Sequence, residues 1–240
     1  HRAYRAAMSA LPSASVSAAE MRPSSMSATP DRDPARPLRI GVLSADLRTH
    51  SVGYFAEPWI AAKPADVSLI AFHTNPPNPA DPMEKRFRGL FDHWVEAAML
   101  DDAALDRAIR EARVDILVEL SAHTAGGRLT ALSRKPAPVI VSAIGYPNSS
   151  GHPAVDYRLV DSTTDPSANP TTGDTGADDL ATERLLRLDP CFLCYRPPAD
   201  ATEPVLPAAD APITFGSFNL STKISSSTVA LWSAAMGAVP

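Results

Sequence analysis

Aromatic residues make up only 6% of this 240-residue chain, and it holds just two cysteines. No apolar run approaches the ~18 residues that a membrane-spanning helix needs. No charged-then-apolar segment of the secretory type opens the chain. The formal net charge is −5, which argues against a nucleic-acid binder held by phosphate contacts. Neither a G-x-G-x-x-G fingerprint nor a Walker loop is present, so the standard dinucleotide and nucleoside-triphosphate readings lose weight. No metal site is expected. Cys191 and Cys194 form a single C-x-x-C, whereas zinc would want two further ligands of similar spacing. Pro197-Pro198 follow too closely for a thioredoxin-like helix start, so the pair reads as structural thiols in a reducing, cytoplasmic setting.

Proline, in contrast, is abundant: 24 residues, against about 5% on average. Much of the excess lies in residues 23–37, 76–82 and 190–212, which read as connections rather than core. Residues 1–37 read as a linker or tail. HRAYRAAM resembles the end of a helix, and the Ser/Ala/Pro-rich stretch after it is expected to lack fixed structure. His1 rather than Met opens the chain, so further sequence is expected upstream.

The organising stretch is 114–151. Val114 to Leu120 is a short, nearly continuous apolar run, as in a strand buried on both faces of a parallel sheet. A polar turn, 121–127, and a short helical stretch, 128–134, lead to a second apolar run, Val139 to Ile144. That run empties into Gly145-Tyr146-Pro147-Asn148-Ser149-Ser150-Gly151. Around this unit the pattern predicts strands at 38–45, 67–73, 93–97, 155–161 and 183–188. It predicts helices at 52–62, near 82–91 and at 101–113, with Pro58 counting against the first. Residues 101–113 carry Leu105, Ala108, Ile109 and Ala112 on one face. Alternation of this kind indicates βαβ units and an α/β, Rossmann-like fold. A linker at 197–212 precedes a new strand at 213–218 and a helix at 225–239. The expected division is a tail (1–37), a first lobe (38–204) and the start of a second (205–240).

In a parallel sheet the loops 45–51, 121–127 and 145–151 all leave from carboxyl ends, where open α/β sheets bind ligands. They carry Asp46, Arg48 and His50, then His123, Thr124, Gly126 and Gly127, then Gly145, Tyr146 and Pro147. Glycines let backbone approach a ligand closely. His50 and His123 are candidate acid–base groups or sugar hydroxyl partners. Lys223, in F-N-L-S-T-K-I, is a candidate phosphate partner.

Several segments occur in one order: LRIGVLSADLRTHSVGYF, DILVELSAHTAGGRL, RKPAPVIVSAIGYPNSSGHPAVDYRLVD, ERLLRL, FLCYRPP and ITFGSFNLSTKIS. As a set, over about 38–240, they resemble the catalytic region of the TPR-linked O-linked N-acetylglucosamine transferases of the SPINDLY type. The resemblance implies an inverting GT-B glycosyltransferase that moves N-acetylglucosamine from UDP-N-acetylglucosamine to protein Ser or Thr hydroxyls. Some relatives use GDP-fucose. It implies TPR repeats upstream, no metal, and no nucleic-acid or membrane partner. On it, His50 and His123 lie beside the reacting groups, with Thr124 next to His123. Ile144, Gly145, Tyr146 and Pro147 belong to the turn of the sugar pocket, and Lys223 binds the donor diphosphate. The general base stays open between His50, His123 and a water relay. Ala122 stands where the family has glycine before the histidine, and Asn148-Ser149-Ser150 replaces Gly-Thr-Thr. The second lobe supplies most nucleotide contacts in this family. Micromolar affinity needs about 8 kcal/mol, so these residues alone are expected to bind donor weakly and to turn over little. The alternative is a non-catalytic relative that acts as a protein-binding module.

Overall fold

A computed structural model describes residues 36–238, apart from 170, 172, 199, 209 and 210. Of the tail expected at 1–37, residues 1–35 lie outside the described residues. The described chain falls into two units, one ending at Pro197 and the other starting at Pro198.

The first unit is built on β1 (Leu38–Ser44), β2 (Val67–His73), β3 (His93–Glu96), β4 (Ile116–Glu119), β5 (Val139–Ser142), β6 (Tyr157–Val160) and β7 (Arg184–Arg187). They form one sheet in the order β3-β2-β1-β4-β5-β6-β7, and every pair is parallel. The winding reverses between β1 and β4. That is the place where neighbouring loops diverge and a crevice opens in Rossmann-like sheets.

Among its described residues this unit has three α-helices: α1 (Ser51–Ala61), α2 (Pro82–Leu90) and α3 (Asp102–Glu111). Strand side chains alternate between faces, and each face has its own core. Leu43, Phe72, Leu117 and Ile140 pack with Leu105 and Ile109 of α3 and with Leu129 and Leu132. Val42, Leu69 and Ala71 pack with Ala56 and Ile60 of α1 and with Phe87 of α2. The result is a sheet with helices on both sides, which the near-continuous apolar runs require.

Local chemistry sets the helix ends. Asp81 caps α2 by accepting from Met83 N and Glu84 N, and Asp101 caps α3 by accepting from Ala104 N. α1 runs through Pro58 in spite of the lost donor. Ala56 and Ile60 are fully buried on either side of it, so packing outweighs the local penalty. Residues 129–134 form a 3-10 helix rather than an α-helix.

The second unit holds a one-turn 3-10 helix (Ser221–Lys223) and α4 (Ser226–Gly237), capped by Ser225. The strand expected at 213–218 is absent. A strand is sustained by its ladder, and among the described residues no partner pairs with this stretch. Phe215, Phe218 and Leu220 are exposed there.

Candidate functional site

The loops after β1, β4 and β5 leave the same carboxyl edge of the sheet, as the spacing predicts. The ends of these strands and of β2 are polar although buried: Ser44, Glu119, Ser142 and, on β2, His73 are each at most 3% exposed. Register places Ser44 beside His73, and Glu119 beside Leu43 and Ser142.

The first loop brings Asp46, Arg48 and His50 together. Asp46 is buried, and its Oδ1 takes a bond from Arg48 Nη2 at 3.3 Å. His50 is the N-cap of α1: its Nδ1 accepts from Val52 N at 3.2 Å. A nitrogen that accepts carries no proton, so the neutral ring holds its proton on Nε2. Asp46 Oδ1 lies 3.5 Å from the same Nδ1 and would take over from Val52 if the ring became protonated.

The second loop sits on a buried carboxylate. Glu119 accepts from Ala122 N at 2.7 Å, Ser121 N at 3.2 Å and Ser142 Oγ at 2.5 Å. Burial pushes its carboxyl up, against those three bonds. Ala122 has φ +42°, a left-handed conformation that favours glycine. Thr124 Oγ1 donates to Ser121 O at 2.6 Å and closes the turn. A Cβ on Gly126 would lie 2.4 Å from Ala45 Cβ, so only glycine lets this loop rest against the first. Thr74, just after β2, ties in as well, donating to Gly126 O at 3.0 Å.

The third loop crosses both. A Cβ on Gly145 would lie 1.8 Å from Leu120 O and 3.3 Å from Val52 in the first turn of α1. Ile144 takes φ +60°, a strained setting for a β-branched residue and of the kind that gathers at functional turns. The Tyr146 ring meets His123 edge-on, with centroids 5.0 Å apart. Pro147 is exposed beside it.

His123, Thr124, Ile144, Gly145, Tyr146 and Pro147 are thus neighbours. His50 reaches them through Val52 and Gly145. Lys223 belongs to the second unit, exposed at the end of its 3-10 turn. Cys191 and Cys194 are exposed free thiols. Among the described residues, no group of three or more His, Cys, Asp or Glu could hold a metal ion. None of the described helices is long and apolar enough to cross a membrane.

Sequence reading passed over the buried supports of these loops. Glu119 carried a visible signal, a lone carboxylate inside an apolar run. Glu183 carried none: it is separated by more than thirty residues from the loop it supports.

Comparison with known proteins bears on the family and the fold. The Glycosyl transferase family 41 model matches residues 15–173. A probable UDP-N-acetylglucosamine–peptide N-acetylglucosaminyltransferase SPINDLY of Arabidopsis thaliana is 38% identical over 216 residues, covering 87% of this chain and 22% of the relative. The Solanum lycopersicum counterpart is 38% identical over 217 residues, covering 86% and 22%. Among solved structures, a point mutant of the Thermobaculum terrenum O-GlcNAc transferase superposes with a TM-score of 0.62 at 39% identity, over 71% of this chain and 31% of that one. The chain therefore spans about a fifth of the length of the curated relatives it matches. With that family model covering most of the first unit, the chain belongs to glycosyl transferase family 41.

Proposed function

We propose that this chain supplies the sugar-facing lobe of a protein O-glycosyltransferase. The enzyme would move N-acetylglucosamine from UDP-N-acetylglucosamine to Ser or Thr hydroxyls with inversion. The observation that carries the reading is the meeting of three loops at one sheet edge, with His123 on Tyr146 and His50 capping the helix that Gly145 touches. The names of the SPINDLY relatives and of the Thermobaculum protein supply the sugar and the peptide acceptor.

In this reading the acceptor oxygen attacks the anomeric carbon as its bond to the diphosphate breaks. The hydroxyl proton leaves to a base, and UDP departs with the bonding electrons. Lys223 would stabilise the charge developing on the diphosphate. With Nε2 protonated, His50 would donate to an oxygen of the donor rather than remove a proton. His123 also donates from Nε2, to the Ser150 carbonyl at 2.7 Å. A water relay therefore suits the base role better than direct abstraction by either Nε2. No metal has a part in this scheme. The setting is cytoplasmic, in keeping with two free, exposed thiols. TPR repeats elsewhere in the protein would deliver acceptors.

The test is transfer of labelled sugar to a protein acceptor by the full gene product, with UDP-N-acetylglucosamine and GDP-fucose compared. Transfer from the UDP donor, lowered about 100-fold or more in Lys223→Ala, supports the reading. Near-normal transfer by that variant removes the diphosphate role, and transfer from GDP-fucose alone replaces the donor.

A further inference from the structure

A buried hydrogen-bond relay runs from the start of β7 to His123. Glu183 is 4% exposed, and Ser149 and Ser150 are no more than 1% exposed. Glu183 Oε1 accepts from Ser150 N at 2.7 Å and from the Ser150 hydroxyl. Its Oε2 accepts from Ser149 Oγ at 2.6 Å. Ser149 Oγ in turn accepts from Gly151 N at 3.1 Å. The Gly151 N–H and the Ser150 C=O are the two ends of one peptide group, and that carbonyl accepts from His123 Nε2.

The order of donors is fixed. A carboxylate only accepts, so the Ser149 hydroxyl must give its proton to Glu183, and its oxygen accepts from Gly151 N at 3.1 Å and from Thr182 N at 3.2 Å. A carbonyl only accepts, so His123 must donate. Each bond polarises the next, and the chain strengthens cooperatively in a low-dielectric interior. Burial by itself would raise the Glu183 carboxyl, but the Ser149 and Ser150 bonds outweigh burial and hold it below its ordinary value. Gly151 sits at φ +67°, which sets the peptide's tilt in a region that other residues resist.

We propose that Glu183 is the positioning residue for His123, acting through Ser149 and the Ser150–Gly151 peptide to keep the imidazole proton on Nε2. Glu183 touches no reacting group. It strengthens the Ser150 carbonyl as the acceptor for the His123 Nε2–H, and its value to catalysis rests on the glycosyltransferase reading above. A carboxylate that merely filled a buried corner would leave the tautomer of His123 unaffected by Ser149.

The test reads the nitrogen resonances of the His123 ring by long-range proton–nitrogen NMR on the whole chain. Native protein is expected to show a protonated Nε2 and an unprotonated Nδ1. Ser149→Ala breaks the relay but leaves both Ser150 bonds to Glu183, so the fold should persist in the amide spectrum. In that variant the two resonances are expected to move toward each other as the tautomers mix, and Ser149→Thr should restore the native pattern. Glu183→Gln should mix them further, though it can also unfold the loop. Unchanged His123 resonances in a folded Ser149→Ala protein would overturn the proposal, as would a native ring protonated on Nδ1. Because the readout needs no substrate, absent sugar transfer would count against the function and not against this relay.

Discussion

The imidazole of His50 serves α1 through Nδ1, so a change there has a structural and a chemical consequence that can be separated. His50→Ala removes both the cap and the ring. It should cost about 1 kcal/mol of stability and, in the full gene product under the proposed reading, most of the sugar transfer. His50→Asn keeps a good cap and removes the ring. Urea unfolding of the asparagine variant should match the native protein while sugar transfer falls as far as in the alanine variant. Transfer that survives in the asparagine variant would assign His50 to the helix alone. Gly145 allows a second residue-level prediction. A methyl group there meets the Leu120 carbonyl, which is backbone and cannot swing aside. Gly145→Ala should destabilise the chain by about 1–3 kcal/mol in the same urea experiment, whereas Gly89→Ala, in open space, should not.

At the level of elements, the polar ends of the strands make stability depend on pH in opposite senses. His73, at the end of β2, is fully buried with neither ring nitrogen bonded, and it stacks near Trp94 at 5.2 Å. Burial lowers its pKa from 6.5; Glu84 and Glu96 pull it up, and Arg88 and Arg48 push it down. The unfolded chain therefore takes up a proton first. The contribution is complete above 6.5 and is lost as pH falls from 6.5 through the folded value. His152, also lowered chiefly by burial, adds in the same sense. Glu119 is raised from 4.5, so its contribution is present at low pH and lost as pH rises through its folded value. Urea midpoints should drop as pH falls below 6.5, and His73→Leu should flatten that drop. An equal drop in the variant would place the effect elsewhere. Most of these elements could be read in the sequence. Short apolar runs between capped amphipathic helices leave little choice but a parallel sheet, and three loops carrying polar residues or glycine then had to share its carboxyl edge. Other features could not be read. Pro58 argues locally against α1, yet buried Ala56 and Ile60 keep the helix intact. The stretch 213–218 has the composition of a strand, but composition cannot supply a partner. The link from Glu183 to Ser149 and Ser150 exists only once β7 lies in the sheet.

Across the whole molecule, the two units differ in how well their residues are covered. The first has a core on each face of its sheet. In the second, Phe215, Phe218, Leu231, Trp232 and Met236 are all exposed by more than a third. A unit of this size rarely stabilises itself by its own core. Amide exchange on the 240-residue chain should be fast throughout 213–238 and slow in β1 and β4; comparable protection in both would contradict this. Weak donor binding by the same chain is also expected, since the first unit would supply sugar contacts and few for the nucleotide. The most direct measurement is therefore a titration of the labelled chain with UDP-N-acetylglucosamine, followed residue by residue by NMR. The account predicts weak binding, with resonances of residues 45–51, 121–127 and 145–151 shifting together, His50, His123 and Tyr146 among them. Tight binding centred away from those three loops, or no response in them at saturation, would contradict it.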